Sequence, residues 1–178
     1  MTENNIPVLI ISGPVGVGKT TVGEELSEQL EAQQTPHTFI DFDQLRYNYP
    51  RPEDDPWGLE LGLKNLADVW ANCAARGSLN LVISTVVEDW DFVERIASAI
   101  PDSQVKTVQL CAGIATLQNR VRKRELGAGL NWHLKRTVEL ADLLEQDGVP
   151  ADFRIDADAR SITDVAAELL SLIPWRQS

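Results

Sequence analysis

Gly13-Pro14-Val15-Gly16-Val17-Gly18-Lys19-Thr20 spells G-x-x-x-x-G-K-T, a spacing suited to a loop that wraps phosphate. Ahead of it, Ile6-Pro7-Val8-Leu9-Ile10-Ile11-Ser12 is a short apolar run rich in β-branched residues, which predicts a buried parallel strand. Behind it, Val22, Leu26 and Leu30 recur at helical spacing among Glu24, Glu25, Glu28 and Glu31, which predicts an amphipathic helix. Strand, glycine loop and helix form the context in which such a loop works. A polyphosphate is small and highly charged, so many backbone N–H groups converging on one point hold it best. Gly13, Gly16 and Gly18 lack the Cβ that would block so tight a curl. The backbone of Gly13, Val15, Gly16, Val17 and Gly18 is therefore expected around phosphate, and the helix starting near Gly18 adds roughly half a positive charge. Lys19 is expected to reach β- and γ-phosphates and Thr20 to place its hydroxyl on Mg²⁺. Thr21 is a candidate for the α-phosphate by position.

The chain around this loop has 178 residues, 43% of them hydrophobic and 24% charged, which suits one domain with a sizeable core. No apolar run approaches the ~18 residues of a membrane span, and Met1-Thr2-Glu3-Asn4-Asn5 lacks the features of a signal peptide. Cys73 and Cys111 lie far apart and read as reduced core thiols. These features predict a cytoplasmic protein. A net charge of −11 argues against a general nucleic-acid or membrane-surface binder, so phosphate binding must rest on local positive charge.

Strand and helix alternate throughout, which predicts a parallel α/β sheet covered on both faces. Thr38–Phe42, Asn80–Val86, Gln104–Cys111 and Phe153–Ile155 read as further strands. Leu59–Arg76, Asp91–Ile100, Ile114–Glu125, Trp132–Glu145 and a Ser161-capped segment ending at Leu172 read as helices, and the proline-rich 48–58 stretch as a loop. Ligands of such sheets gather beyond the carboxyl ends of the strands. That rule selects the glycine loop, then Asp41 and Asp43, then Glu88 and Asp89. Asp41-Phe42-Asp43-Gln44-Leu45-Arg46 is a D-x-D-x-x-R segment. If the strand runs on to Asp43, a period of two turns both carboxylates to one side. Two carboxylates and the Arg46 guanidinium would supply a base, a metal organiser and an acceptor anchor for phosphoryl transfer.

The loop and this segment together resemble the small-molecule kinases of the P-loop superfamily. Asp41-x-Asp43-x-x-Arg46 is similar to the segment after the second strand of adenylylsulfate kinases. Asp43-x-x-Arg46-x-x-x-Pro50 resembles the zeta-toxin kinases of nucleotide sugars, although Tyr49 stands where that family usually has histidine. The resemblance implies a three-layer α/β/α P-loop NTPase sandwich, a five-stranded parallel sheet in the order 2-3-1-4-5, and a helical lid at about 117–146 within one domain spanning 1–178. It further implies ATP and Mg²⁺ as cofactors and a small-molecule hydroxyl as acceptor. Asp41, Asp43 and Lys19 would be catalytic, with Thr20 and Asp41 on the metal and Asp43, Arg46 and Glu88 towards the acceptor. Adenine would lie between the 156–161 loop, Asp156 included, and the early lid near Arg120.

Of the 16 Lys and Arg residues, six fall between Arg120 and Arg136. Arg120 and Arg124, four apart on one helix, would face the same way and close over the phosphates as lid arginines, with Gly127 and Gly129 as hinge. Leu117, Val121, Leu126, Leu134, Val138 and Leu140 would pack those helices. The strand Leu81–Thr85 carries no Walker-B aspartate, so Thr85, Glu88 acting through water, or Asp41 is left to do that job. His37 and His133 are isolated and read as neither nucleophile nor metal ligand. A regulatory GTPase would need the N-K-x-D and D-x-x-G motifs, which are absent from plausible positions. A nucleotide-binding module without an acceptor would need neither the acidic pair nor the lid arginines. Asp41, Asp43, Glu53, Asp54, Asp55, Glu60, Glu88 and Asp89, set against Arg46 and Arg51, predict an acidic pocket mouth. Such a mouth favours a neutral or cationic acceptor, with Trp57 and Trp90 available for stacking.

Overall fold

A computed structural model describes residues 5–124, 127, 129–146 and 148–177. The predicted apolar run forms β1 (Ile6–Ser12), followed by α1 (Lys19–Ala32), β2 (His37–Asp41) and the short α2 (Phe42–Leu45). Then come α3 (Leu59–Ala74), β3 (Asn80–Ser84), α4 (Trp90–Ala99), β4 (Ser103–Cys111), α5 (Ile114–Arg124), α6 (Leu130–Leu144), β5 (Phe153–Asp156) and α7 (Ile162–Leu172). All strand pairings are parallel, in the order β2-β3-β1-β4-β5, as the resemblance implied.

The alternation along β1 decides the layering. Leu9 and Ile11 point into a core with Val22, Leu26 and Leu30 of α1, Leu117 of α5 and Val165, Ala166 and Leu169 of α7. Val8 and Ile10 point to the opposite face, against Leu63, Leu66 and Trp70 of α3 and Val93 and Ile96 of α4. With both faces covered, β1 is apolar at successive positions and lies centrally, so the glycine loop leaves the middle of the sheet.

Two expectations are corrected here. The second strand stops at Asp41, because the Asp41 carboxylate caps α2 by accepting from the Asp43 backbone N–H at 3.1 Å. Asp43 therefore sits in the first turn of a helix rather than two places along a strand. Cys73 and Cys111 are free thiols but only half-buried, not core residues. No helix among the described residues is long and apolar enough to cross a membrane. Leu126 and the Glu125 end of its predicted helix lie outside the described residues.

Candidate active site

Gly13, Gly16 and Gly18 take φ values of +142°, +86° and +103°, conformations that a side chain would resist. An ideal Cβ on Gly16 would lie 2.8 Å from Val121 Cγ2 and 2.9 Å from the Leu117 carbonyl oxygen, so the loop presses directly on α5. The curled loop bends the Lys19 side chain back across itself, with Nζ donating to Gly13 O at 2.8 Å and to Pro14 O at 3.2 Å. Desolvation lowers the Lys19 pKa to about 8; Asp43 and Asp41 pull it upward, and Arg124 presses it down. Thr20 Oγ1 donates to Asp41 Oδ2 at 3.0 Å, joining the first turn of α1 to the end of β2. Asp43 in turn accepts from Arg46 Nη2 at 2.5 Å. The Arg46 backbone is held where α3 begins: a Cβ on Gly58 would lie 2.5 Å from Arg46 O, and Asn65 donates to Leu45 O at 2.7 Å.

The loop separates two clefts. One, of about 460 Å³, runs from Gly16, Val17, Gly18 and Val22 to Ala157, Arg160, Ser161, Ile162 and Val165. The other, of about 900 Å³, holds Lys19, Thr20, Asp41, Asp43, Arg46, Glu88 and Asp89 on one side and Trp132, His133, Arg136 and Glu139 of α6 on the other. Gly16, Gly18, Thr21 and Arg124 line both. A ligand with a flat apolar end and a polyanionic end fits this plan, its apolar end in the smaller cleft and its charge at the loop. Hard oxygen donors at Thr20 and Asp41 suit Mg²⁺. Among the described residues no three His, Cys, Asp or Glu side chains converge as a metal site.

No family model matches the chain, and no curated protein does. Solved structures match it along nearly its whole length. An APS kinase from Mycobacterium tuberculosis in complex with AMPPNP and APS is 19% identical, with 94% of this chain and 97% of that one covered and a TM-score of 0.67. A gluconokinase from Sinorhizobium meliloti is 20% identical over 93% and 90% of the two chains, with a TM-score of 0.59. A shikimate kinase from Bacteroides thetaiotaomicron is 20% identical over 94% and 98%, with a TM-score of 0.57. The fold is that of the P-loop small-molecule kinases.

Within this P-loop kinase fold, the residues singled out in the sequence divide into three groups. Gly16, Gly18, Lys19, Thr20, Thr21, Asp41, Asp43, Arg46, Glu88 and Arg124 are brought together around the larger cleft. Val15 also lines it, and Val17 lines the smaller one. Arg120 lies on the smaller cleft, yet its guanidinium is engaged with backbone, donating to Val17 O at 2.9 Å and Ala157 O at 3.3 Å. It ties the loop to the β5–α7 turn. Asp156 is not on that cleft: its carboxylate accepts from Asp158 N at 2.8 Å. Asp158 likewise takes the Gly113 N–H at 2.7 Å, and that bond, with Thr116 next, lowers its pKa.

Several expectations for the pocket mouth need correction. Asp55 caps α3, accepting from the backbone of Leu59, Glu60 and Leu61. Glu60 pairs with Arg95 at 2.5 Å, and Arg51, Glu53, Asp54 and Trp90 do not line the cleft. The mouth is therefore far less acidic than the sequence suggested. Glu88 pairs with Arg136, while Asp89 caps α4 through Phe92 N. Of the other basic residues, Arg122 reaches Gln118 and Asn119 on its own helix, and Lys135 lies 3.6 Å from Glu139. Of the two expected hinge glycines, Gly127 has φ +126° but Gly129 is right-handed at −76°.

The sequence reading missed Trp132 and Ile162. Trp132 and Arg136 are four apart on α6, a spacing that places both on one helix face. Ile162 and Val165, three apart at the start of α7, likewise share one helix face. Ser84 ends β3 where a Walker-B aspartate would stand, in register with Asp41 of β2.

Proposed function

We propose that this protein is an ATP- and Mg²⁺-dependent kinase that transfers the γ-phosphoryl group to a hydroxyl of a small molecule. The observation that carries the reading is the position of the loop between two clefts, with Lys19, Thr20, Asp41 and Asp43 gathered where the larger one meets it. The kinases that share the fold agree with it.

In this reading the adenosine end lies in the smaller cleft against Val17, Val22, Ala157 and Val165. The loop N–H groups receive the phosphates. Lys19 exchanges the Gly13 and Pro14 carbonyls for β- and γ-phosphate oxygens. Thr20 and Asp41 would hold Mg²⁺, which would supply neutralisation of charge on the β- and γ-phosphate oxygens. Asp43, oriented by Arg46, accepts the proton of the attacking hydroxyl. A bond forms between the acceptor oxygen and the γ-phosphorus; the bond to the β–γ bridging oxygen breaks, and its electron pair leaves with ADP. Arg124, which borders both clefts, lies where charge spreads during transfer, and α5 and α6 act as the lid. We place this chemistry in the cytoplasm.

Release of ADP from ATP and Mg²⁺, measured with and without a panel of hydroxyl compounds, tests the proposal. At least one compound should raise the rate above that with water alone. A plain nucleotide-binding module would show nucleotide binding that depends on Lys19 and no stimulation by any of them.

A further inference from the structure

The charges along the outer part of the larger cleft are matched within the protein. Asp43 pairs with Arg46 at 2.5 Å, Glu88 with Arg136, and Glu139 lies 3.8 Å from Arg136 and 3.6 Å from Lys135. Asp89 is turned to the Phe92 N–H at 2.9 Å. An acceptor carrying a carboxylate or an ammonium group would meet, in whichever of these pairs it joined, a charge of its own sign beside the opposite one. A hydroxyl carries no charge to be repelled, and the about four lone-pair sites of a carboxylate and five N–H donors of a guanidinium are more than one ion pair uses. The apolar lining points the same way independently. Trp57 is 66% exposed and Trp132 55% exposed, and both border this cleft with Leu59, Val86 and Phe92. Two large aromatic surfaces left to water inside a polar cleft complement a ring face and an apolar substituent. The cleft, at about 900 Å³, has room for such a molecule beyond the phosphate end.

We propose that the acceptor is an uncharged glycoside: a polyhydroxylated ring bonded by the Asp43–Arg46 and Glu88–Arg136 pairs, with an apolar aglycone against Trp57 and Trp132. This rests on the kinase reading above. One ring hydroxyl loses its proton to Asp43 and gains the γ-phosphoryl group as ADP leaves, so the product is a glycoside phosphate monoester.

Three matched probes test the assignment: phenyl β-glucoside, its glucuronide as the anion and its glucosaminide as the cation. Each is titrated into protein saturated with a non-hydrolysable ATP analogue and Mg²⁺ while tryptophan fluorescence is followed, and each is assayed with ATP for ADP release. The glucoside should perturb the fluorescence, stimulate ADP release, and bind at least about tenfold more tightly than either charged analogue. Its affinity should change little with salt. Trp57→Leu and Trp132→Leu should each raise KM for the glucoside while affinity for a fluorescent nucleotide holds. Arg136→Ala, which leaves Glu88 unpaired, should shift preference towards the glucosaminide by about tenfold. Preference of the wild-type protein for a charged analogue, or an unchanged KM in both tryptophan variants, would overturn the proposal. So would Lys19-dependent nucleotide binding with no response to any of the three, an outcome that leaves nucleotide binding standing; loss of nucleotide binding itself would instead remove the kinase reading.

Discussion

Replacing Gly13 and Gly18 in turn by alanine separates the two reasons for glycine in the phosphate loop. Both have positive φ, +142° and +103°, but their surroundings differ. A Cβ on Gly13 would lie 2.5 Å from the Leu110 carbonyl oxygen on β4 and 2.9 Å from Val17 Cγ1, whereas one on Gly18 meets nothing within 4 Å. Backbone strain for a side chain at such φ costs about 1–3 kcal/mol at either position. The gain from a less flexible unfolded chain, about 0.4–1 kcal/mol, is common to both. Only Gly13→Ala adds overpacking against a strand backbone that cannot swing away, about 1–3 kcal/mol more. At this chain length that difference corresponds to about 2–12 °C in Tm. Thermal unfolding of the two variants without nucleotide, by circular dichroism, measures it directly. A Gly13→Ala protein as stable as Gly18→Ala would refute the claim that the loop is braced on β4.

Lys19→Ala should not lower Tm at neutral pH, because the desolvated ammonium is removed with the side chain, and it should lower phosphoryl transfer by about 10²-fold or more, the scale for losing one preorganised donor; steady-state ADP release checks it. Asp43→Asn should suppress transfer while nucleotide still binds, whereas Asp41→Asn should mainly raise the Mg²⁺ requirement; an exchange of the two phenotypes in Mg²⁺ titrations would exchange the roles. Lys19 is charged below its lowered pKa of about 8, so nucleotide affinity without acceptor should fall as pH rises through that value, and an affinity flat from pH 6.5 to ~9.5 would contradict it. The linked stability has the opposite sign: between about 8 and the ordinary 10.5 the unfolded chain binds more protons at Lys19, so this group's contribution rises with pH there. Asp55→Ala, which strips α3 of an acceptor for three backbone N–H groups, should cost about 1–2 kcal/mol, read as a lower Tm in thermal unfolding.

The parts of the structure legible in the sequence are those governed by local periodicity and backbone chemistry. The apolar stretch through Ile11, the glycines at 13, 16 and 18 and the Val22/Leu26/Leu30 stripe state β1, loop and α1 outright, and alternation carries the remaining strands and helices. The carboxylates were harder to assign, because sequence gives their position and not their direction. Asp55 and Asp89 looked like members of an acidic mouth, yet a backbone N–H a few residues onward claims each of them. The turn at Asp41 was masked in the same way: the cap that ends β2 is made by a residue equally suited to a metal. Glu88 and Arg136 are 48 residues apart, and nothing local to either announces the other. Trp132 was overlooked because a lone aromatic on a helix ordinarily belongs to the core, whereas this one faces the cleft.

The phosphate loop is gripped from outside as well as from the sheet. Gly16 abuts Leu117 and Val121, Arg120 holds the Val17 carbonyl, and Thr137 Oγ1 reaches the Val15 carbonyl at 3.3 Å. Three peptide units of the loop thus share their packing with α5 and α6, the helices that also wall the larger cleft. Any ligand that selects one shape of the loop selects one placement of those helices, and by thermodynamic reciprocity the converse holds to the same free energy. On the proposed function, coupling of the two clefts through these contacts would be reciprocal: the factor by which nucleotide changes acceptor affinity would equal the factor by which acceptor changes nucleotide affinity, and loosening the Thr137 or Arg120 contact should move both together.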